Sequence, residues 1–185
     1  DGIKPTPHAR PARKEYLTPE EARTLMQWVT DPRARVFCAL CLYCGLRKEE
    51  ALGLQWADIG PASLVVARAV TFPDGNQPDP SMELKSKAAH RVLPIPAPLR
   101  AVLEQTPRIS VYVVPSPSGG VMTSTCFDRM WRQCVRKMVS FEVRPHMLRH
   151  TFATTLYHAG VDLRTPQNLI KNASIQMTAN IYTHL

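Results

Sequence analysis

No stretch of this 185-residue sequence reads as a signal peptide or a membrane span. The apolar run Val36–Cys44 falls well short of the roughly 20 residues a spanning helix needs. Cysteine is sparse: five residues, an odd number, without the density of a secreted disulfide framework, which points to a reducing compartment. Three of them, Cys38, Cys41 and Cys44, are spaced like iron–sulfur ligands, but no fourth ligand lies nearby. On one face of a helix they read as small buried hydrophobes. No metal and no cofactor is therefore expected. Acidic residues are also short: 15 Asp+Glu against 23 Lys+Arg leave a net charge of +8 and a pI near 9.5. That surplus favours a polyanionic partner, nucleic acid foremost, though a basic protein of another kind would share it.

What is present suits one medium-sized domain with a real core. Residues 1–16, rich in proline and basic residues and without a hydrophobic period, read as a linker; residues 17–185 read as the domain. Thr18-Pro19-Glu20-Glu21 is a helix start: Thr18 caps, Pro19 fits the first turn, and Glu21 completes a capping box. Leu25, Trp28 and Val29 are expected on that helix's inner face. Val36–Cys44, apolar all round, should be a buried central helix ended by Gly45. Leu46-Arg47 opens the next one, with Glu50 one turn on.

The pattern then changes. Leu64–Val70 reads as a strand, Asp74-Gly75-Asn76 as a turn, and Met82–Lys85 and Arg91–Ile95 as two short strands. A short helix over Pro98–Gln105 and an apolar strand or extended piece over Val111–Val114 follow. Thr123 or Ser124 caps a helix to about Met138, with Phe127, Met130, Trp131, Cys134 and Met138 inward and Arg129, Arg132, Arg136 and Lys137 on its other faces. The fold class is α+β: a mostly helical domain with a small antiparallel sheet on one side.

The last forty residues carry the chemistry. Pro145 sits well in a first helical turn, and the helix behind it places His146, Arg149 and His150 on one face. Leu148, Phe152, Leu156 and Ala159 form the opposite apolar stripe, and Gly160 is a natural stop. Further helices are expected over Leu163–Ile170 and, from Ser174 or Thr178, around Tyr182. Each polar residue alone has a bland explanation; the arrangement has fewer.

His146-x-x-Arg149-His150-Thr151-Phe152-Ala153-Thr154, followed by Tyr182-Thr183-His184-Leu185, resembles the tyrosine recombinase (phage integrase) family. Gly45-Leu46-Arg47-x-x-Glu50-x-Leu52-x-Leu54-x-Trp56-x-Asp58 resembles the segment bearing that family's first catalytic arginine. The resemblance covers roughly residues 17–185 and implies that family's catalytic-domain fold, with cleavage and rejoining of DNA strands through a 3′-phosphotyrosyl intermediate. It assigns Tyr182 as nucleophile, Arg47 and Arg149 as the phosphate clamp, His146 to proton transfer or phosphate bonding, and Lys85 as the acid for the departing 5′ oxygen. Lys85 precedes Arg91 by six positions, as the family's hairpin lysine does in members with a longer turn; Lys87 is the rival. Glu50 would orient Arg47, with His150 in support. Lys87, Arg91, Arg132 and Arg136 are expected to contact DNA.

One place departs from the pattern. Where the family has Gly-His or Gly-Trp, this sequence has Lys171-Asn172, so Asn172 stands in the position of a catalytic imidazole. His184 does not replace it. The resemblance further implies double-stranded DNA as partner, a synaptic homo-tetramer on DNA, no membrane, a bacterial cytoplasmic and nucleoid-associated setting, and a longer parent with an N-terminal DNA-binding region. Two other readings stay open: a DNA-binding regulator of the same fold with weakened chemistry, and a type IB topoisomerase-like enzyme.

Overall fold

The computed structural model describes residues 14–79 and 90–160. The expected strand Met82–Lys85, the Leu163–Ile170 helix and the Tyr182 helix lie outside that range. The first helix, α1 (Pro19–Trp28), begins as its sequence indicates. Thr18 Oγ1 accepts the Glu21 N–H at 3.2 Å, and the Glu21 carboxylate accepts the Thr18 N–H at 2.8 Å. Its inner face is Ala22, Leu25, Met26 and, just past the end, Val29, a series at i, i+3, i+4 and i+7. Trp28 falls off that series and is 57% exposed, so the expectation that it packs inward is corrected.

The central helix α2 (Pro32–Cys44) starts earlier than its apolar run. Asp31 caps it, accepting the N–H groups of Arg33 and Ala34 at 3.0 Å each. Ala34, Val36–Leu42 and Cys44 are buried, because α1, α3 (Lys48–Gly53), α4 (Ala97–Gln105), α5 (Ser124–Cys134) and α6 (Pro145–His158) all pack on it. Burial lifts the Cys38 and Cys41 thiols far above their ordinary range and Cys44 to about 12. They behave as hydrophobes, and no group of three metal-ligating side chains exists among the described residues. No helix among those residues is long and apolar enough to cross a membrane.

Two strands, β1 (Ser63–Val66) and β2 (Arg91–Pro94), pair antiparallel, with Val66 opposite Arg91 and Leu64 opposite Leu93. The expected strand to Val70 stops at Val66. Beyond it the chain straps α3: Arg68 pairs with Asp58 at 2.6 Å and the Val70 N–H donates to the Glu49 carbonyl at 2.9 Å. Val111–Val114 forms no strand; it docks through Trp56 N–H to the Val111 carbonyl and Val113 N–H to the Leu54 carbonyl. The expected helix to Met138 ends at Cys134. Val135, with φ −120° and ψ −64°, breaks it, and a 3₁₀ turn over Arg136–Met138 shifts the phase, leaving Met138 exposed. Phe127, Met130 and Trp131 are buried as expected, with Phe37 meeting the Phe127 and Trp131 rings edge-on.

Helix α6 turns Met147, Leu148, Thr151 and Leu156 inward. The apolar stripe is corrected at two places: Phe152 is half-buried, and Ala159 is exposed at the helix end. Thr151 holds a further piece of chain in place. Its Oγ1 accepts the Leu17 N–H at 2.9 Å and donates to the Met147 carbonyl at 2.7 Å. Arg144, just before α6, donates to the Lys14 carbonyl at 2.6 Å, and Lys14 pairs with Glu21. Lys14 to Leu17 therefore lie tied to α1 and α6.

Candidate active site

The site is built where α2 ends and α3 begins. Gly45 closes α2 with φ +64°, a left-handed conformation that glycine adopts without penalty. A Cβ there would lie 2.3 Å from Cδ1 of Phe152 on α6. The missing side chain thus permits both the reversal into α3 and the close approach of α6. Arg47 follows as the residue capping α3, with its side chain 64% exposed. Arg149 arrives from α6 and donates through Nη1 to the Gly45 carbonyl, two residues before Arg47. The structure therefore brings together two guanidiniums that lie far apart in sequence.

Between them sits Glu50, only 3% exposed. Its Oε2 accepts the Arg47 backbone N–H at 2.8 Å, and its Oε1 lies 3.4 Å from the Arg47 guanidinium. The tighter partner is Arg91 on β2. Its Nη1 and Nη2 donate to Oε1 and Oε2 at 2.9 and 2.7 Å, a bidentate fork. Burial pushes the Glu50 carboxyl up, but the Arg91 hydrogen bonds and the Arg47 N–H outweigh it and hold the group below the ordinary glutamate value. Arg149 is pressed down from the usual guanidinium value, first by its own burial and then by the Arg47 cation, with Glu50 opposing. A guanidinium nevertheless stays protonated at any working pH. Arg47 and Arg91 bond this carboxylate and Arg149 lies within its electrostatic reach, so the four groups together carry an excess of two positive charges, suited to an oxyanion.

His146 and His150 are exposed on the face of α6 that carries Arg149, with ring centroids 5.9 Å apart. Arg132 and Arg136 are exposed on and beyond α5, with Arg129 and Lys137 beside them in sequence and likewise exposed. Lys85, Lys87, Asn172 and Tyr182 lie outside the described residues. Of the sequence-selected residues, the structure brings Arg47 and Arg91 onto the Glu50 carboxylate and seats Arg149 on the neighbouring Gly45 carbonyl. Sequence reasoning missed the Arg91–Glu50 fork and the Gly45 carbonyl as the seat of Arg149. Both are long-range contacts, and no local spacing signals them.

Residues 15–185 match the sequence profile of the phage integrase family. A tyrosine recombinase XerC-like protein of Caldanaerobacter subterraneus subsp. tengcongensis is 31% identical, over 92% of this chain and 50% of its own length. Tyrosine recombinase XerC 1 of Ralstonia nicotianae is 32% identical over all of this chain and 60% of its own. The chain spans about half the length of the curated relatives it matches. Among solved structures, the XerA recombinase superposes with a TM-score of 0.65 at 26% identity, covering 97% of this chain and 62% of that one. The Tn1549 transposon integrase, solved in complex with circular intermediate DNA, shares the fold at a TM-score of 0.67 and 22% identity, over 95% of this chain and 64% of that one. Matched over nearly its whole length, the chain belongs to the phage integrase family, as a tyrosine recombinase catalytic domain.

Proposed function

We propose that this domain cuts and rejoins double-stranded DNA as the catalytic part of a site-specific recombinase. The observation that carries the reading is the doubly cationic centre: Arg47 and Arg149 meet at the α2–α3 reversal around a buried, already neutralised carboxylate. Phosphodiester exchange needs a nucleophile, charge stabilisation at the non-bridging oxygens and a proton for the leaving oxygen. Tyr182 attacks phosphorus through its phenolic oxygen, and the P–O5′ bond breaks. Lys85 gives the 5′ oxygen its proton, with Lys87 the alternative donor. Arg47 and Arg149 hold the non-bridging oxygens, His146 assists proton transfer at the tyrosine or bonds the phosphate, and Asn172 donates an N–H from the place the family motif gives to a ring. The 3′-phosphotyrosyl bond preserves the energy of the broken strand, so rejoining to a new 5′ hydroxyl needs no nucleotide cofactor.

Recombining two duplexes exchanges four strands. One nucleophile per strand makes a tetramer on two DNA sites the natural assembly, formed in the parent protein with a further DNA-binding region ahead of residue 17. Arg132 and Arg136, both exposed, would contact DNA phosphates. The setting is the bacterial cytoplasm, at the nucleoid.

Tyr182→Phe tests the chemistry. It removes one oxygen and little packing area, so a nicked duplex should be bound as before while the denaturant-resistant protein–DNA adduct disappears. An adduct that persists would move the nucleophile elsewhere, to Tyr157 first, which is 71% exposed on α6.

A further inference from the structure

The sequence suggested that Arg91 touches DNA, but its fork is engaged inside the protein. Both of its terminal nitrogens bond the two oxygens of Glu50 at 2.9 and 2.7 Å, from a strand held in register opposite Val66. Arg47 holds the same carboxylate with its side chain only loosely, at 3.4 Å, and remains 64% exposed. We propose that Arg91 is a positioning residue for strand cleavage: by pairing with Glu50 it leaves the Arg47 guanidinium oriented but uncommitted, free to take the phosphate. The inference rests on the recombinase reading above.

The physical reason is charge balance around a buried anion. Glu50 is a single negative charge in a dry place, and it must be neutralised. With Arg91 present, the Glu50–Arg91 pair is neutral, and the charges of Arg47 and Arg149 are left for the substrate. Without Arg91, two outcomes remain. Arg47 folds onto Glu50 and withdraws from the phosphate, or Glu50 takes a proton and releases its hold on the Arg47 N–H. Either weakens the clamp. The groups facing Glu50 are Arg47 at the head of its own helix, Arg91 from β2, Arg149 from α6 and the neutral thiol of Cys41 from α2. Arg91 is the strongest of those holding the carboxyl ionised.

The test uses the full-length protein and a pool of nicked duplexes randomised about the nick, with Arg91→Gln and Arg91→Lys compared to wild type. Thermal melts and circular dichroism confirm folding. At saturating DNA, cleavage by Arg91→Gln should fall on the order of 10²-fold, the scale of a misplaced catalytic group, while affinity changes little. Arg91→Lys keeps the charge and loses the fork, so it should fall less and stay folded even if the glutamine variant does not. The Glu50 carboxyl, followed by ¹³C NMR and identified by its loss in Glu50→Gln, should titrate at higher pH in Arg91→Gln. Wild-type cleavage rates at saturation in both variants overturn the inference. So does a loss confined to affinity, which makes Arg91 a DNA contact. If wild type itself forms no adduct on the pool, the recombinase reading fails; the Glu50 titration then decides alone, and an unmoved value in Arg91→Gln sinks the pairing role.

Discussion

At the scale of single residues, the proposed reading puts Asn172 where the family motif has an imidazole. An imidazole in that place can bond the phosphate and, when protonated, add charge. An amide keeps a neutral N–H donor and does not titrate. Losing a transition-state donor outright costs on the order of 10²–10³ in rate; the amide retains part of the interaction, so the deficit should be smaller. Asn172→His is therefore expected to raise single-turnover cleavage on a suicide substrate with affinity nearly unchanged. If the histidine variant is neutral or slower and Asn172→Ala is much slower, Asn172 is itself the adapted phosphate ligand.

A second residue-level expectation concerns acid. In Glu50, Asp31 and Glu21, burial raises the carboxyl, but donors outweigh it and leave each below its ordinary value. The donors are Arg91 and the Arg47 N–H, the Ala34 N–H and Arg33, and Lys14 and Thr18. Folding lowers these values, so the stability they supply is complete above the unfolded carboxylate value of about 4. It is lost as pH falls through the lower folded values. The urea midpoint should be flat from neutrality down to about pH 5 and drop below about pH 4. Glu50→Gln should make that acid loss shallower, and an unchanged acid slope would remove Glu50 from the account.

At the scale of elements, the α2–α3 reversal is the feature on which the site depends. Gly45→Ala puts an L-residue at φ +64° and a methyl group 2.3 Å from the Phe152 ring. The left-handed conformation costs roughly 1–2 kcal/mol and overpacking about 1–3 kcal/mol. A denaturant midpoint shifted down by that sum divided by an unchanged slope is the expected result. Phe152→Ala should relieve the clash part of the cost, so the two changes together should be less than additive. The elements that could be read from sequence were those with local signals. Thr18 and Glu21 announce α1, the unbroken apolar run announces α2, and Pro145 and the His146–Arg149–His150 spacing announce α6. Trp28, Met138 and the length of β1 were misjudged because tertiary contacts decide them: a helix phase, a 3₁₀ break after Cys134, and the strap from Arg68 to Val70 across α3. The arginine pair was visible as two motifs. Their joint, through Gly45, Phe152 and Arg91, is made of contacts between elements distant in sequence, where periodicity carries no information.

At the scale of the whole molecule, the arginines behind the net charge of +8 divide, among the described residues, into two groups. Several arginines hold the fold together: Arg35 donates to the Met26 and Val29 carbonyls, Arg68 pairs with Asp58, Arg100 bonds the Gly60 and Pro61 carbonyls, and Arg144 bonds the Lys14 carbonyl. Others point to solvent, among them Arg47, Arg129, Arg132, Arg136 and Lys137. Only the second group can displace counterions from a phosphate backbone. Each phosphate contact should contribute about −0.9 to the slope of log affinity against log salt on duplex DNA. The steep fall with salt expected for this domain should then flatten by about one unit in Arg132→Gln and again in Arg136→Gln. Arg100→Gln removes the same formal charge but no phosphate contact, so its slope should match wild type. Residues 1–185 alone should bind weakly and with little sequence preference, because phosphate contacts position a protein on DNA without reading bases. A slope that falls equally for all three substitutions would mean that net charge, not a defined surface, governs binding. A slope near zero would remove DNA phosphates as the partner altogether.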